Sequence, residues 1–278
     1  MSVPQLFPPG HFYSPIVDPA SIRPYLSGLS SPSPEIAGID LAVEDQLALL
    51  ATLRPKVDLW RVWAAGRSSK PRYDSGNDQF GPGDAACYAG MLGNFAPNRV
   101  VEIGSGWSSA LALDAIEAFQ LTTRFTFIEP YPERLFSAIR RKDRGHVEIR
   151  EEGIQQVGEH IVDELRENDV LFIDSTHVMK AGSDVQFIID RLLPRLAPGV
   201  LVHIHDMFYP FEYPRAWIEE GRNWNELYAM RAFLQFNARF RVRFWNHFLM
   251  STHAAVIGEQ IPETRINPGG GLWLQVAT

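Results

Sequence analysis

One glycine turn restricts what this chain can fold into more than any other feature. In the segment Arg99-Val-Val-Glu-Ile-Gly-Ser-Gly-Trp-Ser-Ser109 an apolar run enters a Gly-x-Gly and leaves it as a helical stretch. A strand that turns through glycines straight into a helix opens a βαβ unit, because glycine permits the tight turn and the close approach of a ligand to the helix N-terminus. In dinucleotide-binding folds such a turn brings backbone N–H groups onto a pyrophosphate. Here Glu102 stands two residues before Gly104, and an anion at the strand tip would repel that ligand. A cationic ligand would be favoured instead.

A second acid lies one strand later. Arg124-Phe-Thr-Phe-Ile-Glu-Pro130 reads as a short apolar strand ending in Glu129, 23 residues after Gly106. A carboxylate at about this offset accepts hydrogen bonds from both ribose hydroxyls in nucleotide-binding βαβ units. S-adenosylmethionine combines a sulfonium and an ammonium with an adenosine and carries no phosphate. Gly104, Ser105 and Gly106, with Glu102 for the amino-acid end and Glu129 for the ribose, therefore read as its site. The competing reading is a nicotinamide-dependent oxidoreductase, with Gly104, Gly106 and Glu129 as a dinucleotide fingerprint. It would need a glycine where Ser109 stands, and it would set Glu102 against the phosphates.

From Arg99 onward short apolar runs alternate with helical stretches, the pattern of a doubly wound parallel sheet. Strands are expected at 99–104, 124–129, 146–150, 169–174 and 199–205. Asn223 to Phe236 reads as an aromatic-rich helix, Phe240 to Phe248 as a strand and Gly271 to Ala277 as a final strand, so a late pair closes the sheet. Upstream, Val43 to Leu53 carries leucines at helical spacing, and a helix is expected over Asp84 to Leu92 with Asp84 as its cap. Residues 1 to about 40 are dense in Pro, Ser and Gly and read as an ordered but irregular arm, placed to cover the site or a partner subunit of a homo-oligomer. The expected division is an arm and helical cap over 1–83 and a ligand-binding catalytic domain over 84–278.

The 26 basic and 33 acidic residues give a formal charge of −7, which argues against nucleic acid as a partner because no excess of cations is present to displace phosphate counterions. Cys87 is the one cysteine; it leaves no internal disulfide and no thiolate cluster for zinc, as expected of a reducing, cytoplasmic setting. No run approaches a membrane span, and the first residues lack a signal-like basic start and apolar stretch.

With Val100-Val-Glu-Ile-Gly-Ser-Gly106, Phe125-Thr-Phe-Ile-Glu129, Asp169-Val-Leu-Phe-Ile-Asp174 and Gly199-Val-Leu-Val-His-Ile-His-Asp206, the chain resembles the class I S-adenosylmethionine-dependent methyltransferases over roughly 84 to 278. The branch it is most similar to methylates hydroxyls of small molecules and includes catechol O-methyltransferase and sugar and natural-product enzymes. The resemblance implies a Rossmann-like, mostly parallel seven-stranded sheet with helices on both faces, behind the N-terminal extension. It implies an Asp174 that belongs both to the cofactor site and to the catalytic end, and a general base at His177, three residues later. An imidazole, with an ordinary pKa of about 6.5, can take a proton from a hydroxyl near neutrality. The family's metal site maps onto Asp174, His205 and Asp206. His205 stands where the family has an acid, so magnesium, which prefers oxygen donors, gives ground to manganese, another transition metal or no metal. Gln155 aligns with the residue contacting adenine. His203 reads as a hydrogen-bonded core residue, and Trp107 as either a cofactor contact or a core residue.

The methyl acceptor is expected to be a small molecule or a glycan. Its pocket should draw on Tyr73 to Phe80, on Met207 to Arg215 and on the N-terminal arm. Aromatic walls with polar tips suit a sugar face and a phenolic ring equally. A scaffold that binds the cofactor but has lost its catalytic end is the remaining alternative, kept open by His205.

Overall fold

The computed structural model describes residues 6–28 and 35–277. Seven strands form one sheet: β1 Arg99–Ile103, β2 Arg124–Ile128, β3 Glu148–Arg150, β4 Val170–Ile173, β5 Leu201–Ile204, β6 Phe240–Trp245 and β7 Leu272–Val276. Their order is β3-β2-β1-β4-β5-β7-β6. The first five run parallel, and β7 pairs antiparallel to both β5 and β6. The Rossmann-like, mostly parallel sheet expected from the sequence is thus present, with β4 and β5 as neighbours and the late pair at one edge.

The central strands read as continuous apolar runs because they are covered on both faces. β4 and β5 are buried at every position. Right-handed crossovers send helices 107–119 and 133–138 to one face, and the helical turns over 154–162 and 184–195 to the other; contacts between these segments follow the same division. The helix Pro82–Phe95 joins the first face, where Tyr88 stacks on Phe172 of β4 at 4.7 Å. Its alanines and glycines are buried, and they allow the helix Val43–Ala65 to pack closely, with Leu49, Leu50, Leu53 and Val57 facing inward. These four residues belong to the same hydrophobic core as the sheet. Gln46 ties that helix to the far edge: its amide donates to the Leu41 carbonyl, and its Oε1 accepts from Trp245 N–H at 2.8 Å.

Several boundaries differ from the sequence reading for local reasons. β6 stops at Trp245 rather than Phe248, because Asn246 turns inward to donate to Asp84 at 2.8 Å and a helix, Asn246–Thr252, begins there. Asp84 is not a helix cap. The helix starts two residues earlier on Pro82, with Gly81 at the cap position, and the Asp84 carboxylate is buried, accepting from Asn246 and from Gly270 N–H at 3.1 Å. The leucine-spaced helix runs past Leu53 to Ala65.

The loop between the first two long helices is held by Arg72. Its guanidinium is buried, bonded to both oxygens of Asp143 at 2.8 and 2.9 Å, to Asp114 at 2.8 Å and to Glu117 at 2.7 Å. Truncation would leave Asp114 and Asp143 buried without their cation. Arg72→Ala is therefore expected to lower the unfolding free energy by about 3–5 kcal/mol, read from urea denaturation; a loss too small to resolve would show that the network does not support the loop.

Candidate active site

A cavity of about 1030 Å³ opens beyond the carboxyl ends of β1, β2, β4 and β5. This is where the strand order reverses between β1 and β4, the usual place for a ligand in an open α/β sheet. Gly104 makes the crevice geometrically feasible. It has φ +81°, and a Cβ there would lie 1.6 Å from the Asp174 carbonyl oxygen, so only glycine lets the β1 turn pass the end of β4. Asp174 N–H in turn donates to the Ile103 carbonyl at 2.8 Å.

The turn's own N–H groups are already engaged. Ser105 N–H donates to Glu129 Oε2 at 3.2 Å, and Gly106 N–H donates to Ser109 Oγ at 3.0 Å. Donors that would otherwise receive a phosphate therefore meet a carboxylate and a hydroxyl, against the dinucleotide reading. The other oxygen of Glu129 accepts from Tyr131 N–H at 2.9 Å. Each oxygen keeps acceptor capacity on the cavity side, since a carboxylate has about four lone-pair sites.

Glu102 departs from expectation. It is fully buried behind the turn and is not among the cavity-lining residues. Its Oε1 accepts from the hydroxyls of Ser108 and Ser109, each at 2.7 Å, while Oε2 is buried without a partner. Burial pushes its pKa up to about 8, against the lowering effect of the two serines. Glu102 therefore supports the turn from behind instead of lining the cavity as the ligand-facing anion expected from the sequence. The sequence could not show this, because Ser108 and Ser109 cover Glu102 only once the helix has formed.

His177 brings together the ionisable groups at the ends of β4 and β5. It has φ +59°, and its carbonyl accepts from the N–H groups of Asn225 and Glu226 at 3.0 and 3.1 Å, where the helix Glu226–Leu234 begins. The same helix supplies Glu226, whose Oε2 lies 2.9 Å from His177 Nδ1. Nε2 faces Asp174 at 3.4 Å and Asp206 at 3.6 Å. Burial opposes charge on this ring, but hydrogen bonds to Asp174 and Glu226 and the pull of both carboxylates outweigh it, holding the pKa well above the ordinary histidine range. The expectation of an unperturbed imidazole at His177 is corrected accordingly. Asp206, also at positive φ (+56°), is raised by its burial. Asp174 is lowered: burial acts against its charge, and His205 and His177 more than compensate.

His205 and Asp206 line the cavity beside Asp174. His205 Nε2 lies 3.7 Å from Asp206, its Nδ1 is buried without a partner, and the carboxylates of Asp174, Asp206 and Asp84 lift its pKa to about 9 against the effect of burial. The three residues expected to bind a metal are therefore brought together, yet the His177 ring lies against both carboxylates. Among the described residues no group of three or more His, Cys, Asp or Glu is arranged to hold a metal ion. His203 is a core residue, stacked at 4.1 Å on Phe172. Contrary to the sequence reading, neither of its nitrogens is hydrogen-bonded, and burial drives its pKa well below the ordinary value.

Ser105, Glu129 and Gln155 all line the cavity, the last donating to the Gly182 carbonyl at 3.0 Å. Trp107 lines the cavity and packs on the core. Of Tyr73 to Phe80, residues 77–80 reach the cavity while Tyr73 is buried; of Met207 to Arg215, Phe208 reaches it, and Tyr209, Phe211 and Tyr213 are core. The described arm residues do not line the cavity. Instead Tyr25 donates to Glu212, and Val17 N–H donates to Asn223 Oδ1 at 3.2 Å. The sequence reading missed Glu226, Trp217, Arg222 and Trp224. Their only sequence signal is the density of aromatic residues over 207–228.

Residues 101–207 match the model of a family described as a methyltransferase domain. The chain is 37% identical over 134 residues to an uncharacterised protein of Archaeoglobus fulgidus; the match covers 47% of this chain, which spans about 61% of the length of that curated relative. Among solved structures it is similar to the S-adenosylhomocysteine-bound methyltransferase PaMTH1 of Podospora anserina, with a TM-score of 0.44, 15% identity and coverage of 99% of this chain and 100% of that one. It is also similar to the O-methyltransferase TomG of Streptomyces achromogenes in complex with S-adenosylmethionine, with a TM-score of 0.44, 16% identity and coverage of 93% and 96%. The sheet order is that of the Rossmann-like methyltransferase fold, and over residues 101–207 the chain is similar to a methyltransferase domain.

Proposed function

We propose that the protein is an S-adenosylmethionine-dependent O-methyltransferase acting on a hydroxyl of a small molecule, with His177 as general base. The observation that carries this reading is the pairing of His177 Nδ1 with buried Glu226, on the wall of the cavity that the Gly104–Gly106 turn opens. Gly104, Ser105, Gly106, Glu129, Gln155 and Asp174 would hold the cofactor. Bound there, S-adenosylmethionine supplies an electrophilic methyl group on a sulfonium. Asp174, kept ionised by its histidine neighbours, offers that cation a counter-charge. Glu129 offers free lone pairs for ribose hydroxyls, and the turn, with its N–H groups engaged, makes no demand for a phosphate.

Glu226 fixes which edge of His177 looks where. With Nδ1 committed to Glu226, Nε2 is left on the side of Asp174 and Asp206, placed to accept the proton of a hydroxyl bound against them. This is the orienting role that a carboxylate plays for a catalytic imidazole elsewhere. The surrounding carboxylates make the ring a stronger base and keep it protonated near pH 7. Only the neutral ring can accept a proton, and it becomes abundant as pH rises through the raised pKa. No step requires a metal.

Calorimetry is expected to detect S-adenosylmethionine binding, and Glu129→Ala to weaken it about tenfold or more, the cost of losing hydrogen bonds to a charged acceptor. No binding at high micromolar cofactor would end the proposal. His177→Ala should lower turnover by about 10²–10⁴ while cofactor affinity is kept; unchanged turnover would remove His177 as base. Turnover of the wild type should climb with pH above neutrality. Glu226→Gln takes away one of the anions that raise the ring's pKa, so the rising limb should move to lower pH; a limb that stays in place would assign the titration to another group. Treatment with EDTA is expected to leave the rate unchanged, and a loss restored by magnesium or manganese would show that Asp174, His205 and Asp206 rearrange around an ion.

A further inference from the structure

The acceptor side of the cavity holds a cation, Arg222, whose fork makes no hydrogen bond to the carboxylates around His177 among the described residues. Phe208, Trp217 and Trp224 wall this side. Phe208 meets Trp217 edge-on at 5.1 Å and 87°, and Trp217 meets Trp224 at 5.3 Å and 80°. Trp224 lies 4.5 Å from the His177 ring, so this aromatic box adjoins the proposed base. Arg222 lines the same cavity, with its guanidinium carbon 4.1 Å above Trp217 and 5.1 Å from Trp224.

The guanidinium is only partly committed. Nε donates to Glu220 at 2.9 Å, and Nη1 and Nη2 make no hydrogen bond among the described residues. A single flexible arginine on a surface would gain about 0.5–1 kcal/mol from lying on an indole. Two indoles and a pinned turn go further, because they fix the plane of the fork before any ligand arrives. Gly221 and Asn223 on either side of Arg222 have φ +77° and +52°, and Asn223 is held from behind by Val17 of the N-terminal arm. The arm therefore contributes to the site indirectly, by holding the turn that presents Arg222.

We propose that Arg222 anchors a carboxylate on the methyl acceptor, and that the acceptor is a hydroxylated aromatic acid. Its flat ring lies in the Phe208, Trp217 and Trp224 box, its hydroxyl meets His177, and its carboxylate takes the paired N–H groups of the fork, the bidentate geometry that arginine suits best. A neutral glycan would stack on the same walls but offer the fork only hydroxyls, without a charged planar acceptor for its paired N–H groups. This deepens the reading of the cavity as a methyl-transfer site and rests on it.

The test uses the full chain loaded with S-adenosylmethionine and two probes, 3,4-dihydroxybenzoate and its methyl ester, with binding followed by tryptophan fluorescence and cofactor binding followed separately by calorimetry. The acid is expected to bind about tenfold or more tightly than the ester, as a charge-assisted pair predicts. Arg222→Gln should erase that preference by weakening the acid alone, and Arg222→Lys should restore part of it. Trp217→Leu should weaken both probes. Equal binding of acid and ester by the wild type, a loss in Arg222→Gln that falls on both alike, or binding of neither while the cofactor still binds would overturn the anion anchor. Failure of the cofactor itself to bind would instead overturn the methyl-transfer reading beneath it.

Discussion

The close passage of the β1 turn over the end of β4 is the constraint on which the site depends. At Gly104 a single added carbon would collide with the backbone of Asp174. The same passage sets Ile103 and Asp174 in hydrogen-bonding contact and so fixes where the β4 strand releases its polar residues. Asp174, Ser175, Thr176 and His177 follow in order around the rim. The β4–β5 pairing then places Ile173 beside Ile204, which brings His205 and Asp206 to the same rim. One steric fact at one glycine thus positions a cavity rim assembled from the ends of two neighbouring strands, β4 and β5.

The second organising force is charge. Asp84, Asp174, Asp206 and Glu226 crowd around His177 and His205 in a largely buried volume. Isolated ions would be costly there, and each is tolerated because its neighbours carry the opposite sign. Burial alone would neutralise both rings; the carboxylates reverse that outcome for His177 and His205, whereas His203, enclosed by Phe172, Tyr88 and Trp273, is left to burial and stays neutral. His203 within β5 and His205 just past its end are therefore shifted in opposite directions. Their difference lies in which end of the strand reaches the carboxylates.

Much of this was legible before any coordinates. The apolar runs gave the strands, since parallel strands covered on both faces need no alternation, and strand ends in a parallel sheet point to a common crevice. That logic placed Glu129, Asp174, His177, His205 and Asp206 around one cavity. It failed where a side chain's environment depends on a segment distant in sequence. Glu102 looked like an exposed anion because nothing in its own strand says that Ser108 and Ser109 will close over it. Glu226 lies 49 residues beyond His177, and its approach follows from the way the 207–226 segment folds back across the crevice. Arg222 and the two tryptophans belong to that same segment, which has no periodicity to read. Asp84 resembled a cap because sequence alone cannot show Pro82 starting the helix early or Asn246 and Gly270 waiting for the carboxylate.

The link from Asp84 to Asn246 and Gly270 has a temporal meaning as well as a spatial one. The helix that carries Asp84 precedes every strand, while its two partners lie between the last two strands in sequence, one at the end of β6 and one just before β7, and β7 slips between β5 and β6 instead of adding at the edge. During synthesis β6 emerges with no neighbour to pair with, and the carboxylate beneath His205 waits without its donors. Asp84, from the first face of the sheet, is therefore satisfied only by residues that follow β6, 162 and 186 residues further along the chain.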